Sequence, residues 1–146
     1  MKKYSILVLA ALLLMPTVIQ AGENIGDYSI NDALALGDIK SKLGTDVKFY
    51  FGDQKHPETS KDYGLFKTNK KTNSFMKSDI DACQWVFASA MIALKERALQ
   101  EGGNAVINIK SNYKSNLTSS NETFKCEAGA IMAGVALVGT VVRIKE

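Results

Sequence analysis

Few residues in this chain are equipped for chemistry. There are 1 His and 2 Cys among 146 residues. A protein-ligated zinc or iron–sulfur centre needs three or four soft ligands, so neither a metal site nor a cofactor is expected. His56 precedes Pro57 in a polar stretch. As a general base it would need a nucleophile and an orienting group nearby, and the sequence supplies neither, so it reads as a surface histidine. The serine-hydrolase elbow, the H-E-x-x-H zinc helix and the phosphate loop are all absent. No catalytic residue is therefore assigned, and ATP hydrolysis is excluded. Cys83 and Cys126 lack the C-x-x-C spacing of a redox pair. In an exported chain they read as one structural bridge. It closes a loop of about 44 residues, worth about 4 kcal/mol of chain entropy.

Three features can carry binding instead. Lys67, Lys70, Lys71 and Lys77 make a small basic stretch that can contact an acidic partner. The bland alternative is a solvated loop, and arginine is nearly absent, which weakens phosphate recognition. Residues 128–142 carry no charge. They fall short of the roughly 20 residues that span a bilayer as a helix. Their spaced glycines, Gly129, Gly134 and Gly139, suit a buried strand better than a membrane segment. Trp85 and Ile92 lie on a second apolar side of the main helix. Either residues 31–43 or a second subunit must cover them.

Residues 1–21 read as a signal peptide. Lys2 and Lys3 form the positive start, the run Ile6 to Met15 is apolar, and Ala21 offers a cleavage site. This places the protein in the periplasm or outside the cell. Removing 21 of 146 residues leaves 125, and losing two lysines lowers the formal charge from +3 to +1. A nearly neutral mature chain has no general drive toward nucleic acid. Over all 146 residues, 46% hydrophobic and 23% charged are ordinary globular usage.

The positioning elements follow from periodicity. Asn31 caps a short helix reaching Leu43, broken near Gly37, with Leu34, Leu36, Ile39 and Leu43 as its apolar set. Residues 47–51 form a strand, with Tyr50 on one side and Phe49 and Phe51 on the other. Residues 63–67 form its return in a hairpin, and 67–78 make a loop. Ser78 with Asp81 starts the main helix, which stops at Gly102-Gly103. Ile80, Cys83, Phe87, Met91, Leu94 and Ala98 form its buried stripe. Strands follow from Ala105 and Thr123, with a Ser/Asn/Thr turn over 114–121 and a strand-like end at 140–144.

The pattern Cys83…Ala98…Gly103-Asn104-Ala105-Val106…Cys126…Gly139-Thr140-Val141-Val142 resembles two bacterial families. One is the YbjQ-type small domain, which implies an α+β fold able to assemble into rings, with no catalytic residues. The other is the C-terminal domain of RcsF, an outer-membrane sensor of envelope stress. That resemblance implies four cysteines and a lipidated N-terminus, whereas this chain has two cysteines and no lipid-acceptor cysteine. Over K-F-Y-F-G-D-Q-K (Lys48–Lys55), T-N-K-K-T-N (Thr68–Asn73) and Ala82-Cys83-Gln84-Trp85, the whole mature chain is similar to small exported proteobacterial proteins. Some of those carry the label "excinuclease ATPase subunit"; an ATPase subunit needs the phosphate loop this chain lacks.

The expectation is a signal peptide, 1–21, and one α+β domain, 22–146. Its N-terminal segment, 22–78, holds the hairpin, and 79–146 form the YbjQ/RcsF-like core. A mostly antiparallel sheet packs against one long helix, tied by a single disulfide. The expected function is an exported, non-enzymatic binding or interaction module in envelope homeostasis or stress sensing. Its partner is another envelope protein or a second copy. The alternative is a membrane-active or lipid-binding protein using 128–142.

Overall fold

The computed structural model describes residues 24–146. The signal-peptide reading of 1–21 lies outside the described residues. The fold is α+β: one mixed, mostly antiparallel seven-stranded sheet with a long helix on one face. The elements are β1 (Ile25–Ser29), α1 (Ile30–Ala35), α2 (Gly37–Leu43), β2 (Lys48–Phe51), β3 (Thr59–Asn73), α3 (Asp79–Glu101), β4 (Ala105–Tyr113), β5 (Asn116–Thr118), β6 (Thr123–Ala128) and β7 (Met132–Ile144).

β7 organises the sheet. Along one edge it pairs antiparallel with β3, from Thr59↔Ile144 to Asn73↔Met132. Its other edge is shared. β4 takes one end, from Ala105↔Val142 to Ser111↔Leu137, and β6 takes the other at Glu127↔Gly134 and Ala128↔Ala133. β1 continues from β6, while β2 and β5 continue from β4. Among the described strands, only β2 runs parallel to its neighbour. An uncharged, nearly continuous apolar run is what a central strand requires, because both faces are covered. Thus the apolar segment 128–142 lies largely within the sheet, with Ala133, Val135, Leu137 and Val141 buried under the helix.

α3 is punctuated as its sequence implies. Ser78 Oγ accepts from the Asp81 amide at 3.1 Å, satisfying one of the free first-turn donors. Gly102 ends the helix in the left-handed region, φ 86°, where glycine pays no Cβ penalty. Cys83, Phe87, Met91, Leu94 and Ala98 are fully buried. Phe87 stacks on Phe124 of β6 with centroids 4.1 Å apart. One turn below, Cys83 is bonded to Cys126 (S–S 2.03 Å), fixing the start of α3 to β6.

Several expectations need correction. There is no hairpin between 47–51 and 63–67: β2 pairs with β4, and β3 pairs with β7. Residues 67–73 are strand, so Lys67, Lys70 and Lys71 are not in a loop. Their polar run hides a strand because β3 buries little surface, and edge strands tolerate lysine. The first short helix is capped by Ser29 Oγ rather than Asn31 and starts at Ile30. Leu36 is exposed at the break before Gly37. Ile80 is exposed rather than buried, because the contact of α3 with the sheet begins at Ala82 and Cys83. The turn over 114–121 contains β5.

Candidate functional site

From Gly64 to Asn73, β3 keeps unbroken register with residues 141–132 of β7. Among the described residues, no strand pairs with its outer edge. In an antiparallel edge strand, every second residue directs its N–H and C=O away from the sheet. The C-terminal half of α3 runs alongside this edge. Between them lies an open groove of about 490 Å³, lined by Phe66, Thr68 and Lys70 of β3 and Ala93, Glu96 and Arg97 of α3.

The sequence accounts for each wall. Phe66 faces the helix and rests partly on the main core. The Arg97 guanidinium lies 4.3 Å from its ring centroid, and Arg97 Nε is 3.2 Å from Glu101 Oε1 one turn on. Stacking and pairing hold Arg97 at the groove rather than in open solvent. The Thr68 hydroxyl is buried and has no hydrogen-bond partner. At the upper end, Tyr63 donates its hydroxyl to the Gly102 carbonyl at 3.1 Å, tying β3 to the end of α3.

The four lysines do not form one patch. Lys70 lines the groove, and Lys67 borders both it and a smaller cleft with Leu65, Asn108, Lys110 and Leu117. Alternation along the strand sets Lys71 on the face opposite Lys70. There it acts on Glu127, whose carboxyl is held below its usual range, first by the Tyr113 hydroxyl hydrogen bond, with help from Lys114 and Lys71. A carboxylate held low is a poor general base. Lys77 lies beyond β3 and donates to the Asn73 carbonyl at 3.0 Å.

Trp85 and Ile92 belong to a separate surface beside α2. Trp85 is 49% exposed, and Lys42 Nζ sits 4.7 Å from its ring centroid. Ile92 is partly buried against the core. Leu36, Ile39 and Gln84 join Trp85 around a cleft of about 410 Å³. The 30–43 segment thus packs beside both residues while leaving half of the indole open. His56 meets Tyr50 edge-on at 5.6 Å, and its Nδ1 lies 2.8 Å from the Pro57 carbonyl. Among the described residues, no three or more His, Cys, Asp or Glu gather as a metal site.

The edge and its groove were missed by sequence reasoning. The available signal was the alternation Leu65, Lys67, Asn69, Lys71 against Phe66, Thr68, Lys70, Thr72, which a polar composition masks. No family model matches this chain, and no curated protein matches it.

Proposed function

We propose that the protein is an exported, non-enzymatic interaction module that binds an extended segment of a partner protein along the outer edge of β3. The observation that carries this reading is the unpaired β3 edge opening onto the α3 groove. Strand addition supplies affinity through main-chain hydrogen bonds, and groove side chains select the sequence. Charge indicates the kind of segment. Residues 64–73 hold three lysines and no acidic residue. A second copy paired antiparallel on this edge would bring two sets of three lysines close together with no acid between them, which is destabilising. An acidic segment from another protein is the complementary occupant.

The disulfide supports an oxidising compartment, in keeping with the signal-peptide reading and with an envelope protein as partner. The resemblance to the RcsF C-terminal domain points toward envelope stress or homeostasis. The test is a photo-crosslinking amino acid placed at Asn69 in the protein expressed in its own cells. A discrete adduct at 69, absent when the probe stands at the exposed Lys40, is expected. Equal labelling at both positions, or no adduct at 69, refutes the reading.

A further inference from the structure

At the end of the sheet where β3 meets the start of β7, two turns lie side by side. Residues 74–78 leave β3, and residues 129–131 enter β7. They are laced together: the Ser74 amide donates to the Ile131 carbonyl at 2.8 Å, and Ser74 Oγ donates to the Gly129 carbonyl at 2.6 Å. The Gly129 amide donates to the Met132 carbonyl at 2.9 Å. The Phe75 amide donates to Asn73 Oδ1 at 2.7 Å, and the Lys77 amide to the Ser74 carbonyl at 3.0 Å. From this braced platform four large apolar side chains stand into solvent: Phe75 63%, Met76 90%, Ile131 66% and Met132 48% exposed. Met76 has φ 59°, a conformation uncommon outside glycine. Clustered exposure of this kind marks an interaction surface.

We propose that this double turn inserts into the interfacial region of an anionic membrane. Two observations select that occupant. Main-chain groups that enter a low-dielectric layer must be satisfied internally, and the hydrogen bonds above do so for much of both turns. Lys71 lies on β3 four residues before Phe75, and Lys77 lies one residue past Met76 with its ammonium donating to the Asn73 carbonyl at 3.0 Å. Apolar side chains above lysines whose heads reach anionic headgroups are the pattern of interfacial binding. The acids nearby in sequence and pairing are Asp79 and Asp81, in the first turn of α3 where the helix dipole favours them, and Glu127, which is engaged by Tyr113. A second copy is a poor occupant, since two such tips would bring their lysines together. Within the 128–142 segment, only the turn residues Ile131 and Met132 contribute to this surface. The inference is independent of the β3 groove.

The test uses the chain from Gly22 onward, which holds every described element and lacks the apolar run 6–15. It is sedimented with vesicles of phosphatidylglycerol and phosphatidylethanolamine, and with phosphatidylcholine alone. Binding to the anionic vesicles is expected, weakened by salt. A Phe75→Ser/Met76→Ser variant should lose at least ten-fold in partitioning at unchanged melting temperature. Lys71→Gln/Lys77→Gln should remove the preference for anionic lipid. In a Trp85→Phe background, Phe75→Trp should give emission that shifts blue on vesicles and is quenched by brominated acyl chains. The proposal is overturned if the parent does not bind, if the Ser variant binds equally, if the indole at 75 stays in water, or if the variants instead abolish a dimer.

Discussion

Replacing Cys83 and Cys126 together by alanine cuts the tie between the start of α3 and β6. The cross-link spans a sequence separation of 43. Freeing a loop of that size returns about 4 kcal/mol of chain entropy to the unfolded state. Both cysteines are fully buried, so the lost sulfurs also leave a small void, worth about 1 kcal/mol. A chain of this size has a total stability of roughly 6–19 kcal/mol. The variant should therefore fold at 25 °C with much of its reserve gone. Equilibrium urea unfolding, followed by Trp85 emission, reads this directly. Trp85 is two residues from the cross-link and is the single tryptophan. With a urea slope of about 2 kcal/mol/M, the midpoint should fall by roughly 2.5 M. The slope itself should rise, because the unfolded chain is no longer held compact. Wild-type protein in reductant should lose slightly less, since its sulfurs still fill the space. A midpoint drop below about 0.5 M would refute the assignment of this bond as a main restraint on the unfolded chain.

The two glycines after α3 should rank in an order that backbone angle alone would not give. Gly102→Ala should cost about 1–2 kcal/mol for the left-handed conformation, while Gly103→Ala should cost more. A Cβ at 103 would lie 2.8 Å from both Val141 Cγ1 and the Val142 carbonyl oxygen, and calorimetry of the two variants decides. Ser78→Ala should cost about 1 kcal/mol through loss of the cap, with Ser78→Asp recovering most of it in the same melts. Because the Glu127 pKa is lowered by folding, its contribution to stability is present above the unfolded carboxylate pKa and is lost as pH falls through the lower folded value. Tyr113→Phe removes the leading cause, so an NMR titration should find the Glu127 pKa moved up toward its ordinary value. Lys70→Glu should reduce the adduct formed at position 69 by reversing the groove charge, with no change in melting temperature; an undiminished adduct would remove charge from the recognition.

Some parts of the fold can be read from local chemistry. α3 is legible because a capping serine, a glycine stop and an apolar stripe all mark the same helix. The disulfide is legible because two cysteines in a chain read as exported have only each other. β7 is legible as a buried strand because an uncharged run too short to span a bilayer has few other uses. The pairing of β3 is not legible. Its lysines and asparagines carry no burial pattern, and its partner lies far along the chain, with Ser60 bonding to Arg143 across a separation of 83. The candidate site is obscure for the same reason. The groove exists because α3 and β3 lie adjacent, and neither segment announces that neighbour. Phe75 and Met76 read as loop residues until the turn holding Ile131 is placed beside them.

The central position of β7 sets a timetable for folding. Neighbours on both its edges are made earlier, yet β3 can join the sheet only through the last regular element among the described residues. Until residues 132–144 emerge, the sheet has no middle, and β3 has no strand to pair with. Pairing over such long separations is also slow to nucleate. A chain read as exported gains from that delay, since a sheet without its middle strand stays threadable. A C-terminal truncation removing β7 would therefore leave a polypeptide that cannot assemble its sheet.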